Sequence, residues 1–112
     1  MDQDEKPLVW LRGAVKSPPF SLAARIEAGV LFRRLQSGEM LTMPHSRPMP
    51  IIGPGCHELR IQDEKLTWRI IYRIDPDAIV IVEVFEKKTH QTSKQIINNC
   101  RKRLRQYDAI IR

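Results

Sequence analysis

The stretch from His57 to Lys87 constrains the fold more than any other part of the chain. It holds three runs that alternate in polarity, separated by turn-forming triplets. HELRIQ (57–62) sets Leu59 and Ile61 against Glu58, Arg60 and Gln62. LTWRIIYRI (66–74) sets Trp68, Ile70, Tyr72 and Ile74 against Arg69, Ile71 and Arg73. AIVIVEVFEK (78–87) sets Val80, Val82 and Val84 against Ile79, Ile81, Glu83, Phe85 and Lys87. A period of two is the mark of a strand, because successive side chains point to opposite faces. DEK (63–65) reads as a tight hairpin turn, and DPD (75–77) as a turn built around Pro76. Strands joined this closely must lie antiparallel.

The flanking segments decide what covers these strands. PLVWLRG (7–13) is a short apolar run closed by Gly13, which predicts an opening strand. SPPF (17–20) breaks the pattern, and Ser21 is placed to cap a helix running to about Gln36. Leu22, Ile26, Val30 and then Phe32 or Arg33 mark its apolar face, with Leu35 near its end. Arg25, Arg33 and Arg34 flank or oppose that face, and Gly38 supplies the stop. PHSRPMPIIGPG (44–55), with four prolines and two glycines, predicts an extended connector along a sheet edge. Its His45 and Arg47 are placed either to touch a substrate or to serve only the connector, and the structural reading is favoured. The last helix is predicted from Thr92 or Ser93 to Tyr107 or beyond, with Ile97, Cys100, Leu104, Tyr107 and Ile111 as its apolar stripe. Arg101, Lys102, Arg103 and Arg105 fill the remainder.

This order of elements predicts an α+β domain over 1–112, with residues 1–5 frayed. Its small twisted antiparallel sheet carries the N-terminal and C-terminal helices on one face. The valine face of 78–87 would then lie under the helices. Glu58, Arg60, Arg69, Arg73, Glu83 and Lys87 would share the opposite face with Ile71 and Phe85, as a mixed and mostly cationic platform turned to solvent.

Charge agrees with such a platform. Nineteen Lys and Arg against thirteen Asp and Glu give +6 and a pI of about 9.7, which favours an anionic partner, either nucleic acid or an acidic protein. Cys56 and Cys100 lack metal-ligand spacing and read as reduced thiols, and no zinc or P-loop motif occurs. No run is apolar enough to span a bilayer and no leader opens the chain, so a cytoplasmic protein without a metal or other cofactor is expected.

The block GPGCHELRI…WRIIYRIDPDAIVIVEVFEKKTHQTSK, preceded by KPLVWL and PHSRPMP, closely resembles the phage-derived HigB-like toxins of the RelE/ParE superfamily, the toxin halves of type II toxin–antitoxin modules. The resemblance runs from Lys6 to Tyr107. It implies the RelE-like fold, a cytoplasmic bacterial or phage origin, and a small antitoxin partner, often of helix-turn-helix type, bound as a hetero-oligomer. It further implies a metal-free mRNA interferase acting on the ribosome. In that reaction the 2′-hydroxyl attacks the adjacent phosphate and leaves a 2′,3′-cyclic phosphate.

Carried over by motif, Arg69 in WRIIYR matches the strand arginine that contacts the scissile phosphate. Lys87 or Lys88 in FEKKT matches the cation at the end of the last strand, and Arg60 in HELR matches a basic residue of the neighbouring strand. Arg73 shares the face, and Phe85 is placed to stack on an unpaired base. The chain departs from the RelE pattern in two places. Glu58 stands where RelE has a lysine, and no tyrosine follows the KK pair at the usual catalytic place, so His90 is the nearest ionisable ring. Glu58 and Glu83 are each either a general base or a holder of arginines, and His90 is a candidate acid. Two further readings share the fold: a ParE-like toxin that binds gyrase without chemistry, and an inactive module that only binds antitoxin.

Overall fold

The structure, a computed structural model, describes residues 5–14, 18–87 and 92–111, apart from the side chain of Lys87. In chain order the elements are β1 (Leu8–Trp10), α1 (Leu22–Gln36), β2 (Ser46–Pro48), β3 (Cys56–Asp63), β4 (Leu66–Ile74), β5 (Ile79–Lys87) and α2 (Lys94–Ile111). The three predicted strands of 57–87 form as expected. Glu64 takes φ 54° in the β3–β4 turn, and the Asp75 amide donates to the Ala78 carbonyl across the β4–β5 turn. The proline-rich connector supplies β2, a short edge strand paired with β3. Sheet order is β1-β5-β4-β3-β2. β1 runs parallel to β5, so the sheet is mixed rather than purely antiparallel. No described helix is long and apolar enough to cross a membrane.

The α+β class and its RelE-like arrangement stand, but the helices cover opposite faces of the sheet. Ala24, Ala28, Leu31, Phe32 and Leu35 of α1 pack on Leu59, Ile61, Trp68, Ile70, Tyr72, Ile79, Ile81 and Val84. Ile97, Cys100 and Leu104 of α2 pack on the other side, with Cys56, Ile71, Val80 and Val82 and with Met49 and Ile52 of the connector. The cause lies in β5. Both parities of 78–82 are apolar and all five residues are buried, so each face needs its own cover.

β5 does not keep one alternation along its length. Ile71 pairs with Glu83 while Tyr72 pairs with Ile81, so Val82 is an extra residue and the strand bulges there. Ile79, Ile81 and Val84 therefore face α1, whereas Val80, Val82, Glu83 and Phe85 share the α2 side. The expected all-valine face is split by this slip. The charged residues lie on the same side as Val80 and Val82: Arg73 and Glu83 pair with α2, while Arg60 and Arg69 lie further along that face.

α1 is rotated relative to the expected stripe. Leu22, Ile26 and Val30 are 71%, 59% and 46% exposed, while the small residues Ala24 and Ala28 let the helix close on the sheet. Its ends are as read. The Ser21 side chain accepts from the Ala24 amide (3.1 Å), and Gly38, at φ 95°, ends the helix with its amide on Leu35 O. The Asp63 carboxylate ties this start to the β3–β4 hairpin, accepting from the Ser21 amide (2.9 Å) and from Trp68 Nε1 (3.1 Å). α2 begins where expected, with Ser93 Oγ accepting from the Ile96 amide.

Candidate functional site

Strand register arranges the α2 side of the sheet in rows. Cys56, Arg73 and Val80 form one row. The next holds Arg47, Glu58, Ile71 and Glu83. Arg60, Arg69 and Phe85 follow, then Gln62, Thr67 and Lys87. α2 covers the first row and part of the second. From Arg60 onward only Phe85 among the described residues of this face packs against the α2-side core.

Glu58 is the centre of this arrangement and is fully buried. Its Oε1 accepts from Arg47 Nε and from Arg69 Nη1, both at 3.0 Å. Its Oε2 accepts from the Thr92 hydroxyl at 2.8 Å. A carboxylate taken wholly out of water costs several kcal/mol unless cations and hydrogen bonds compensate it, and both do here. Glu58 thus holds the arginines in position.

Arg69 is far less open than a solvent-facing platform requires, since its side chain is only 11% exposed. Burial lowers its pKa below the usual arginine value. The Glu58 charge opposes that shift, and repulsion from Arg60 and Arg47 adds to it. An arginine stays protonated through such a shift. Arg60 stands directly opposite Arg69 across β3 and β4. The Nε groups of both are buried and have no hydrogen-bond partner among the described residues. Each such orphaned donor costs about 1–3 kcal/mol until an acceptor arrives. Three guanidinium groups around one carboxylate leave local positive charge with donors to spare, which is the chemistry that takes up a phosphate.

Other predicted site residues lie elsewhere. Arg73 is not part of the cluster. Its guanidinium is chelated by Asp75 (2.6 and 2.9 Å) and Asp108 (2.7 and 3.1 Å), and it lies 5.9 Å from the Tyr107 ring centre. Those carboxylates raise its pKa and commit it to anchoring the end of α2. Glu83 pairs with Arg103 at 3.1 Å, a second anchor for the same helix. Phe85 is half-buried, next to Arg69 in register and packed against the α2-side core. Lys87 ends β5 opposite Thr67. Lys88 and His90 lie outside the described residues.

Of two further participants, the sequence reading set Arg47 aside as structural and missed Thr92. Arg47 sits in a proline-rich segment, and only the β2–β3 register brings it opposite Glu58. Thr92 precedes α2, and nothing local marks it as a partner of a strand thirty-four residues earlier.

Against known proteins, a family model described as phage derived protein Gp49-like (DUF891) matches residues 19–105, a span that takes in the whole cluster. No curated protein matches the chain.

Proposed function

The chain belongs to the phage-derived Gp49-like family, which is related to the RelE/ParE toxin superfamily, and on that premise we propose that it is the toxin of a type II toxin–antitoxin module. In this reading it is a HigB-like endoribonuclease that cuts messages on the ribosome in the bacterial cytoplasm, and a cognate antitoxin neutralises it. The observation that carries the reading is the pair of unsatisfied Nε donors on Arg60 and Arg69, facing each other across two strands beside a buried carboxylate.

Each residue has a role in that reaction. Arg69 and Arg60 hold the scissile phosphate and take up the charge that grows on it as the 2′-oxygen attacks. Arg47, 31% exposed, flanks them as a further cation. Glu58 positions Arg69 and Arg47, its oxygens accepting from both and from Thr92. The proton from the 2′-hydroxyl and the proton given to the departing 5′-oxygen pass through the end of β5 and the residues after it, where the sequence carries Lys87, Lys88 and His90. Phe85 stacks on a neighbouring base. The ribosome holds the message in line, so the protein supplies charge rather than substrate alignment.

The test is induced expression with primer extension on translated messages. Arrest with new 5′ ends is expected, and Arg69→Ala should cost about 3 kcal/mol of barrier, roughly a hundredfold in cleavage. Growth arrest with intact messages and inhibited gyrase supercoiling would replace this reading with the gyrase-binding one. Antitoxin binding without arrest would leave only the inactive module.

A further inference from the structure

Among the described residues nothing pairs with the outer edge of β1, and the way it is left points to an occupant. The Ile79 amide donates to Pro7 O and the Leu11 amide to Ile81 O. In a parallel ladder with this register, residues 7, 9 and 11 turn their polar groups toward β5. The N–H and C=O of Leu8 and Trp10 therefore point the other way, and no described residue pairs with them. The neighbouring backbone is treated differently. Just beyond the β1 pairing, the Val82 carbonyl accepts from Arg103 and the Val84 amide donates to Glu83, so side chains cap β5 there.

Trp10, at the end of β1, borders an apolar groove on each face of the sheet. The groove on the α1 side is walled by Phe20, Phe32 and Val84, with Arg25 at its rim. The groove on the α2 side is walled by Val9, Leu11, Tyr107 and Ile110, with Arg12 at its rim. Ile110 is 83% exposed, a large apolar side chain with little to cover it. A strand laid against β1 would send successive side chains alternately into the two grooves. No described Asp or Glu lines either groove, so the charge around the edge is positive.

We propose that the outer edge of β1 receives an extended segment of a partner protein, apolar on both parities at its centre and acidic at its ends. Backbone pairing with Leu8 and Trp10 supplies register, the grooves take the side chains, and Arg12 and Arg25 take the acidic ends. A second copy of the chain fits poorly. It would bring its own Arg12 and Arg25 against theirs, between molecules each carrying +6. The proposal does not depend on the nuclease reading, since β1 is the sheet edge opposite β2 and contributes no residue to the arginine cluster on β2, β3 and β4.

Amide hydrogen exchange on the full chain tests it, with a synthetic peptide of alternating valine and isoleucine bracketed by glutamates as the probe. Exchange at Leu8 and Trp10 is expected to slow by about tenfold or more on saturation. Leu8→Pro removes an outward donor without touching the β5 ladder and should abolish that protection, with the far-ultraviolet spectrum confirming the fold. Exchanging Arg12 and Arg25 for glutamate should move the preference to a lysine-bracketed peptide, a gain that a merely damaged fold would not give. Unchanged exchange at both amides in millimolar peptide overturns the proposal. So does equal protection by either peptide in the unaltered chain. Protection that appears with rising chain concentration alone, together with a dimer in sedimentation, overturns it in favour of self-pairing.

Discussion

Glu58 shows how one side chain can serve both stability and the candidate chemistry. With Glu58 removed, Arg47 and Arg69 lose the acceptor they share, and the more buried Arg69 is left charged and unpaired. Breaking a buried pair in this way costs about 3–5 kcal/mol. Glu58→Ala should therefore lower the free energy of unfolding by about that amount in urea titration, whereas breaking the exposed Arg34–Glu39 pair should leave stability nearly unchanged. A small loss for Glu58→Ala would mean that the cluster relaxes around its absence. Asp63 makes a second residue-level case. The Ser21 amide is the main cause holding its carboxyl below the usual carboxylate range, and Trp68 Nε1 adds to the effect. A depressed folded-state pKa stabilises above the unfolded-state value, and the gain is lost as pH falls through the folded one. Asp63→Asn should thus flatten the decline in stability on the acid side of the carboxylate range, read as melting temperature against pH, and leave the slope near neutrality unchanged.

At the scale of elements, the two helices differ in how plainly their sequences state their orientation. α2 has one apolar stripe, and Ile97, Cys100, Leu104 and Tyr107 all turn inward as the spacing demands; only Ile111 is left exposed. α1 is apolar around most of its circumference, so Leu22–Ile26–Val30 and Ala24–Ala28–Leu31–Leu35 compete on equal terms. The stripe with the smaller residues wins, because it brings the helix axis closer to β3 and β4. Ala28→Leu should therefore overpack the α1 side and cost about 1–3 kcal/mol. Ile26→Gln, on the losing stripe, should change stability by less than about 0.5 kcal/mol. Reversed magnitudes in denaturant unfolding would mean that α1 packs by the face expected from spacing. The strands were legible because polar and apolar residues alternate from His57 to Ile74. The bulge was not, since Val82 and Glu83 carry no glycine or other local mark of one. The place of Arg47 opposite Glu58 was not legible for a related reason: it depends on β2–β3 register, and no pattern within PHSRPMP encodes that register.

For the molecule as a whole, one sheet separates two cores, and the question is whether they unfold together. β4 and β5 contribute side chains to both, so neither core survives loss of those strands. α2 is the element best placed to leave alone. It is held along its length by Arg101 on the Ile51 carbonyl, Arg103 on Glu83 and the Val82 carbonyl, and Asp108 on Arg73. Each of these anchors joins the helix to a different part of the fold, so release of α2 requires all of them to break, together with exposure of Ile97, Cys100 and Leu104. Two thiols report on that event. Cys56 and Cys100 are buried on the α2 side, and burial pushes their pKa values up to about 11 and about 12. The thiolate is the reactive form, so alkylation at neutral pH must await an opening that restores an ordinary thiol. If the cores unfold as one unit, both cysteines should label at the same rate. Urea should accelerate that labelling with the slope of global unfolding. Labelling of Cys100 well ahead of global unfolding, with amides of Leu59 and Ile61 still protected, would show instead that α2 detaches from an intact sheet and α1.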